Sequence, residues 1–335
     1  MSEGLVLPEA PQEDQLRQAR RTALLAAVGL VAVTAVWGST FVLIKDVVRT
    51  LPVLDFLAAR FVIAAAVMLV AFWRPLRRLT RQQAVRGLVL GVIYGAAQIL
   101  QTYGLAHTSA AVSGFVTGMY VVLTPLLGAV VLRQRAPAAT WVAVLLSTAG
   151  LALLALRGFA LGTGELLVLA SALLYAAHIV ALGAWSGARD TLGLATIQML
   201  AIAGTCALAA APGGVRLPAT GSAWAAVLYT AVVAGTLALI VQTWAQAHLT
   251  ANRAAVIMTM EPVFAALFAV ALGGEHLTLR MLAGGLLVLA AMYVVELAPR
   301  QQDVELTPGT TSAPRARRPR RRGTPAAPRS HDQAR

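Results

Sequence analysis

Apolar residues run through this chain in long continuous blocks, and polar residues gather between the blocks. A helix needs about 20 apolar residues to cross a hydrocarbon core. Ten stretches meet that need: 22–44, 53–73, 86–106, 109–132, 138–156, 163–183, 191–211, 221–245, 252–272 and 279–298. Continuous runs speak against a transmembrane barrel, whose strands alternate apolar and polar residues. The pattern predicts an all-α integral membrane protein with ten transmembrane helices. The first span follows a polar arm, 1–21, exceeds the length of a signal-peptide core, and has no A-x-A-like cleavage site after it. It is expected to be a retained helix.

The blocks repeat. A shift of 141 residues lays Gln101-Thr102-Tyr103 over Gln242-Thr243-Trp244 and Ala106-His107 over Ala247-His248. The same shift sets Tyr120 on Glu261, Gln134 on Glu275 and Ala143 on Gly284, while upstream a shift of 138 sets Trp37 on Tyr175 and Arg60 on Gln198. Two five-span halves, 22–157 and 163–298, are joined through Arg157-Gly158 and Gly164. An odd number of spans starts the second half on the opposite side of the membrane, so the repeats are expected to be inverted about an axis in the membrane plane. His107 would face outside and His248 the cytoplasm. The arm 1–21 and the Pro-, Arg-, Ser- and Thr-rich tail 299–335 cannot bury a core.

Composition makes lipid the solvent: 58% of residues are hydrophobic, 12% charged, and mean hydropathy is +0.73. That excludes a water-soluble domain. In a soluble protein the net charge of +13 would suggest nucleic acid, but its distribution says otherwise. Arg17, Arg20, Arg21, Arg74, Arg77, Arg78, Arg81, Arg86, Arg133, Arg135, Arg189 and Arg253 fall at one set of span ends, and Lys45, Arg49, Arg157, Arg216 and Arg280 at the other. The positive-inside rule then puts both termini in the cytoplasm of a multi-pass protein of the plasma (cell inner) membrane. The run Arg315–Arg322 either meets anionic lipid headgroups or simply holds the C-terminus inside; no nucleic-acid partner is expected. Cys206, the lone cysteine, excludes an intramolecular disulfide.

Polar side chains are costly in hydrocarbon, so polar residues along one helical face mark a protein- or water-lined surface. Span one carries Thr34, Trp37 and Thr40; span three Tyr94, Gln98 and Gln101; span four Ser109, Ser113, Thr117, Tyr120 and Thr124; span six Ser171, Tyr175 and His178. Converging, these faces would line a central polar cavity, joined from the second repeat by Gln242 and Trp244. The simpler alternative is interhelical hydrogen bonding, which suffices for the Ser and Thr positions. Ala110, Gly114 and Gly118 form a small-residue ridge suited to close helix packing.

Glu261 is the costliest residue, a carboxylate about ten residues into span nine, worth about 2.5–3.5 kcal/mol on insertion scales. Pro262 behind it removes a backbone donor and loosens the preceding turn. Substrate recognition or proton coupling fits this pair; a neutral acid bonded to a neighbouring helix is the alternative. Arg60 either snorkels toward the nearer surface or forms a gating salt bridge with Asp55 or an acid from another helix. Lys45 is expected to meet headgroups, or else a substrate anion, and Glu165 and Glu275 to cap or flank helices. No H-E-x-x-H, P-loop, prenyl-transfer Asp motif or metal-spaced Cys/His cluster occurs, so no metal or cofactor is expected. A Ser113/His178 dyad is the one catalytic arrangement to weigh.

The residues Ala35-Val-Trp-Gly-Ser-Thr-Phe-Val-Leu-Ile-Lys45, Ala59-Arg60-Phe61, Gly114-Phe115 through Tyr120 to Pro125-Leu-Leu-Gly128, and Glu261-Pro-Val-Phe-Ala265 with Gly274-Glu275 resemble the EamA-type branch of the drug/metabolite transporter superfamily. The resemblance covers nearly the whole chain between the tails. It implies two inverted five-helix EamA repeats, a central cavity built from the first, third, fourth, sixth, eighth and ninth spans, alternating access, and small organic solutes, often exported. One departure stands out: Arg133-Gln134 in the first repeat replaces Gly274-Glu275 of the second. The expectation is a secondary transporter, an exporter of an amino-acid-like or other neutral or cationic solute, acting as a monomer or homodimer. Its cavity residues would be Trp37, Thr40, Gln98, Gln101, Thr117, Tyr120, Tyr175, His178, Gln242, Trp244 and Glu261, with Glu261 coupling and Arg60, Pro262 and Glu275 gating. The alternatives are an intramembrane enzyme and a receptor or channel.

Overall fold

Lipid offers a backbone no hydrogen-bond partners, so each segment that crosses it must satisfy its own peptide groups, and the blocks accordingly fold as helices. The computed structural model describes residues 10–131, 138–157, 160–185, 191–249 and 257–297. The described residues all belong to one compact unit within Met1–Ala298, and the tail 299–335 is a separate unit. The second, with its basic run, lies outside the described residues, as do Arg133-Gln134 and the first part of span nine.

The first half comprises α1 (Ala10–Val47), α2 (Val53–Arg77), α3 (Arg81–His107), α4 (Ala110–Gly118), α5 (Tyr120–Val131) and α6 (Ala138–Ala155). The second comprises α7 (Thr163–Trp185), α8 (Thr191–Ala210), α9 (Gly221–Leu228), a π-helix (Tyr229–Leu237), α10 (Ala238–His248), α11 (Glu261–Ala271) and α12 (Leu279–Leu297). Among the described residues, seven helices are long and apolar enough to cross a membrane, and shorter apolar ones, Ala138–Leu154, Glu261–Ala271 and Leu279–Val294, accompany them. Local sequence sets several helix starts. Thr80 and Gln83 form a capping box at α3, with Thr80 N–H donating to Gln83 Oε1 at 2.8 Å and Gln83 N–H to Thr80 Oγ1 at 3.3 Å. Ser109 Oγ accepts from Val112 N–H at 3.1 Å ahead of α4.

Five features depart from the pattern. Helix α1 begins at Ala10, because the polar arm there is made of good helix formers, Ala, Gln, Leu and Arg. Span four divides at Met119, whose N–H reaches back only three residues, to Val116 O at 3.2 Å. Span eight carries the nine-residue π-helix, whose wider turn exposes the Ala234 carbonyl to a donor from α1. A two-residue antiparallel ribbon, β1 (Leu156–Arg157) with β2 (Ala160–Leu161), joins the halves, a small exception to an otherwise helical fold. Helix α2 also kinks at Phe72 (φ −122°, ψ 27°), one turn ahead of Pro75, whose ring cannot pass the preceding turn without strain.

The halves pack by exchange. Helix α2 lies on α8, α6 on α12 and α4 on α11, while α3 against α7 is mirrored by α10 against α1. Small residues permit these crossings, as membrane packing requires. A Cβ on Gly104 would stand 2.7 Å from Gly164 O, and the repeat shift turns this pair into Ala245 and Ala26, both fully buried in one cluster. Gly150 and Gly284 likewise meet backbone to backbone, with a Cβ on either 2.8 Å from the other's carbonyl oxygen. Their counterparts Ala291 and Ala143 pack in one buried cluster. Larger side chains such as Phe56, Leu57, Met68, Leu105 and Val116 fill the main core.

Candidate functional site

The i, i+4, i+7 stripe of α3 faces α4, α5 and α7 and builds a polar centre there. Gln101 spends its whole amide on two neighbours: Nε2 donates to Thr117 Oγ1 at 3.0 Å, and Oε1 accepts from Tyr175 O–H at 3.0 Å. One side chain thus ties α3 to α4 in its own half and to α7 in the other. Tyr94 stands edge-on to Tyr175 (centroids 5.1 Å, 64°) and to His178 (5.2 Å, 71°), and Tyr120 stands edge-on to Tyr175 at 6.5 Å. Such geometries suit aromatic quadrupoles. Gln98, Thr117, Tyr175 and His178 are all buried in this group.

His178 turns its Nε2 to Gln198 Oε1 at 2.8 Å, while Gln198 Nε2 donates to Leu194 O at 3.2 Å. The amide oxygen is the acceptor, so the shared proton belongs to His178. Ser113 Oγ is fully buried without a hydrogen-bond partner and makes no bond to His178. The Ser/His dyad is therefore not assembled.

Glu261 opens α11 just after a turn at Thr259-Met260, with Pro262 in the first helical turn. A helix N-terminus favours a carboxylate, and Pro262 gives up no bond there, since first-turn N–H groups have no partner within the helix. Glu261 lies within Coulombic range of Tyr94 and Tyr175. Among the described residues it makes no hydrogen bond and no ion pair. The ridge of α4 brings that helix against α11: a Cβ on Gly114 would meet Ala265 Cβ at 2.5 Å, and one on Gly118 would meet Pro262 Cγ at 3.5 Å.

Arg60 neither snorkels outward nor pairs with Asp55. It is 8% exposed and lays its guanidinium over the Phe61 ring, 4.8 Å from the centroid. Asp55 is buried separately in the first turn of α2. Five residues apart, the two sit off each other's helical face.

At one end of the bundle the charges do pair. Lys45 Nζ meets Glu275 Oε1 at 2.9 Å. The same carboxylate accepts from two N–H groups at the start of α4, Ala110 at 2.7 Å and Ala111 at 3.2 Å. Gly274, at φ 64°, makes the left-handed turn that aims Glu275 inward. Lys45 is thus held by protein rather than headgroups, while its neighbour Asp46 takes Arg49 at 3.7 Å on the surface. Beside this latch, Thr108 O–H donates to Glu165 Oε1 at 2.7 Å, tying the end of α3 to the start of α7.

The remaining predicted residues lie apart from the Gln101 cluster. Trp37 donates Nε1–H to Ala234 O at 2.9 Å in the π-helix, and Thr40 O–H bonds back to Trp37 O at 2.7 Å. Gln242 Nε2 reaches Met258 Sδ at 3.7 Å. Trp244 is 42% exposed and tilts against His248, so it faces outward. Tyr94, expected on the polar face of span three, joins this centre, and Gln198 takes a place there that the pattern did not assign it. The repeat shift pairs Gln198 with Arg60, a signal that could have singled it out. No cluster of three or more metal-ligating side chains exists among the described residues.

The sequence profile of the EamA-like transporter family matches this chain twice, over 24–156 and 162–297. A relative from Archaeoglobus fulgidus, named only as an uncharacterized transporter, is 32% identical over 275 residues, covering 82% of this chain and 86% of its own. A crystal structure, titled only as that of a protein, superposes with a TM-score of 0.58 at 22% identity, covering 82% of this chain and 96% of its own, a likeness of fold. With both halves matched by one profile, this multi-pass membrane protein belongs to the EamA-like transporter family of the drug/metabolite transporter superfamily.

Proposed function

We propose that the chain is a secondary active exporter of a small organic solute, with ten spans in two inverted repeats, working by alternating access across the plasma membrane with both termini cytoplasmic. The observation that carries this reading is the crossing of α4 and α11, where two interrupted spans meet beside the Gln101–Thr117–Tyr175 cluster. Half-helices at a repeat interface can expose backbone and charge to a solute without exposing either to lipid. Glu261 has no protein partner among the described residues, so its charge is available to a solute or a proton. The Lys45–Glu275 latch closes the end assigned to the outside, and the state described is then closed outward. In the opposite half the glutamate's counterpart is Gln134, so the inner end has no equivalent latch carboxylate. The basic tail either meets anionic lipid or fixes topology.

Untargeted mass spectrometry of medium and cytosol, from cells with the intact protein and with Glu261→Ala, tests this reading. The expected outcome is a solute accumulated in the medium against its gradient by the intact protein alone. A solute that only runs down its gradient, or that Glu261→Ala moves equally well under every ion gradient, would refute the coupled mechanism.

A further inference from the structure

Arg60 poses the sharpest unanswered question of the bundle. Its guanidinium offers five donors that ordinarily seek planar, bidentate acceptors, yet among the described residues it has no hydrogen bond and no ion pair. The residue is 8% exposed, and its nitrogens are not among the side-chain atoms enclosed without a partner, so the guanidinium edge borders open space inside the bundle. Its Cζ stands 4.8 Å from the Phe61 ring centroid, and no acceptor among the described residues meets its N–H edge, where carboxylates bind.

Symmetry makes the missing partner conspicuous. The shift of 138 residues maps Arg60 on Gln198 and Thr40 on His178. In the second repeat these positions bond directly, His178 to Gln198 at 2.8 Å. In the first, Thr40 turns its hydroxyl to Trp37 O at 2.7 Å instead, and its counterpart Arg60 is left without a mate. The half that carries the full charge is the half without the partner. Arg60 also lies near the centre: Tyr94 and Tyr175, which neighbour Glu261, are close enough to interact with its charge.

We infer that Arg60 is the anion-recognising residue of the central site, so that the solute carries a carboxylate or comparable planar anionic group. This rests on the transporter reading above and sharpens it, since an acid at the centre alone points to neutral or cationic solutes. Because Tyr94 and Tyr175 neighbour both Arg60 and Glu261, a dipolar solute at the tyrosine pair satisfies both charges at once.

The test is a four-member series on one phenyl body, read as thermal stabilisation of the purified full chain: 3-phenylpropanoate, 2-phenylethylamine, phenylalanine and 3-phenylpropan-1-ol. A matching hexyl series controls for shape. Ligands that bind only the folded state raise its stability in proportion to occupancy. Carboxylate-bearing members are expected to bind the parent more tightly than their amine-only and alcohol counterparts. Arg60→Gln should weaken them at least tenfold and leave the amine-only and alcohol members unchanged; Arg60→Lys should retain part of the preference. A merely structural arginine would lower the unliganded melting temperature in Arg60→Gln and keep the carboxylate preference intact. That outcome overturns the proposal, as does a parent that binds no carboxylate-bearing member. The series is read without flux, so failure of alternating access would show separately, as a central site reachable from one side only.

Discussion

Removing the Glu275 side chain should unlatch one end of the bundle. Glu275→Ala deletes three contacts at once: the ion pair to Lys45 and the two bonds to Ala110 and Ala111 N–H. Loss of a capping acceptor costs about 1 kcal/mol, loss of a carboxylate at a helix N-terminus about 0.3–1 kcal/mol, and a part-exposed ion pair about 0.2–1 kcal/mol. Together they favour the open end by about 2 kcal/mol, or roughly thirtyfold in the open-to-closed ratio. Lys45→Met removes the ion pair alone and should shift that ratio only about threefold, on the same scale. The assay is the rate at which a charged, membrane-impermeant methanethiosulfonate labels Thr117→Cys in a Cys206→Ala background, with reagent outside intact cells or inside-out vesicles. Labelling from outside should rise in the order parent, Lys45→Met, Glu275→Ala, while labelling from inside falls. Equal rates for Glu275→Ala and parent would refute the latch. A rise from both sides would mean general loosening, and would refute it too.

Three further outcomes follow from the packing and topology. A Cβ on Gly38 would stand 2.6 Å from Phe264 Cβ and 2.8 Å from Ala265 N, so Gly38→Ala must push α1 off α11 and should cost about 1–3 kcal/mol. A Cβ on Gly204 would meet nothing within 4 Å, so Gly204→Ala should stabilise α8 by up to about 1 kcal/mol; thermal melting of the two variants should move in opposite directions. Trp37→Phe keeps the ring but leaves Ala234 O without its donor, lowering stability by about 1–3 kcal/mol, which the melting temperature and hydrogen exchange of the π-helix would reveal. Reporter fusions truncated after His107 and after Leu249 should report opposite sides of the membrane, and the same side for both would contradict the inverted repeat.

Block length and parity are enough to read helices and duplication from the chain, because both depend only on local composition and spacing. The breaks are not legible, since each is decided by a partner far away in sequence. Nothing near Tyr229 announces a π-helix; the donor that satisfies Ala234 O comes from Trp37. The polar stripes are similarly half legible. Period tells which side of α3 carries Gln98 and Gln101, and the structure gives that face Thr117 and Tyr175 as neighbours. It cannot tell that His178 chooses Gln198, nor that Trp244 faces outward while its matched partner, Tyr103, packs against the core. Lys45 departs from expectation for the same reason, because its partner, Glu275, sits 230 residues away.

The duplication matters most where the copies stop agreeing. His107 and His248 end α3 and α10 in the same way, each ring bonded through Nδ1 to the carbonyl four residues earlier at 2.8 Å. Each crossing pair of glycines between the halves answers, under the repeat shift, to a crossing pair of alanines. On the alternating-access reading proposed above, a scaffold this well kept would let each half take the other's shape with little change in packing energy between the two states. Against that near balance, a difference of one or two kcal/mol is enough to choose a resting state, since about 1.4 kcal/mol is already tenfold. Glu275 aligned with Gln134, Glu261 with Tyr120 and Arg60 with Gln198 are differences of charge, the kind that solutes and protons can offset and packing cannot. On that reading, direction and selectivity would belong to these three mismatched pairs, and the shared framework would supply the movement they bias.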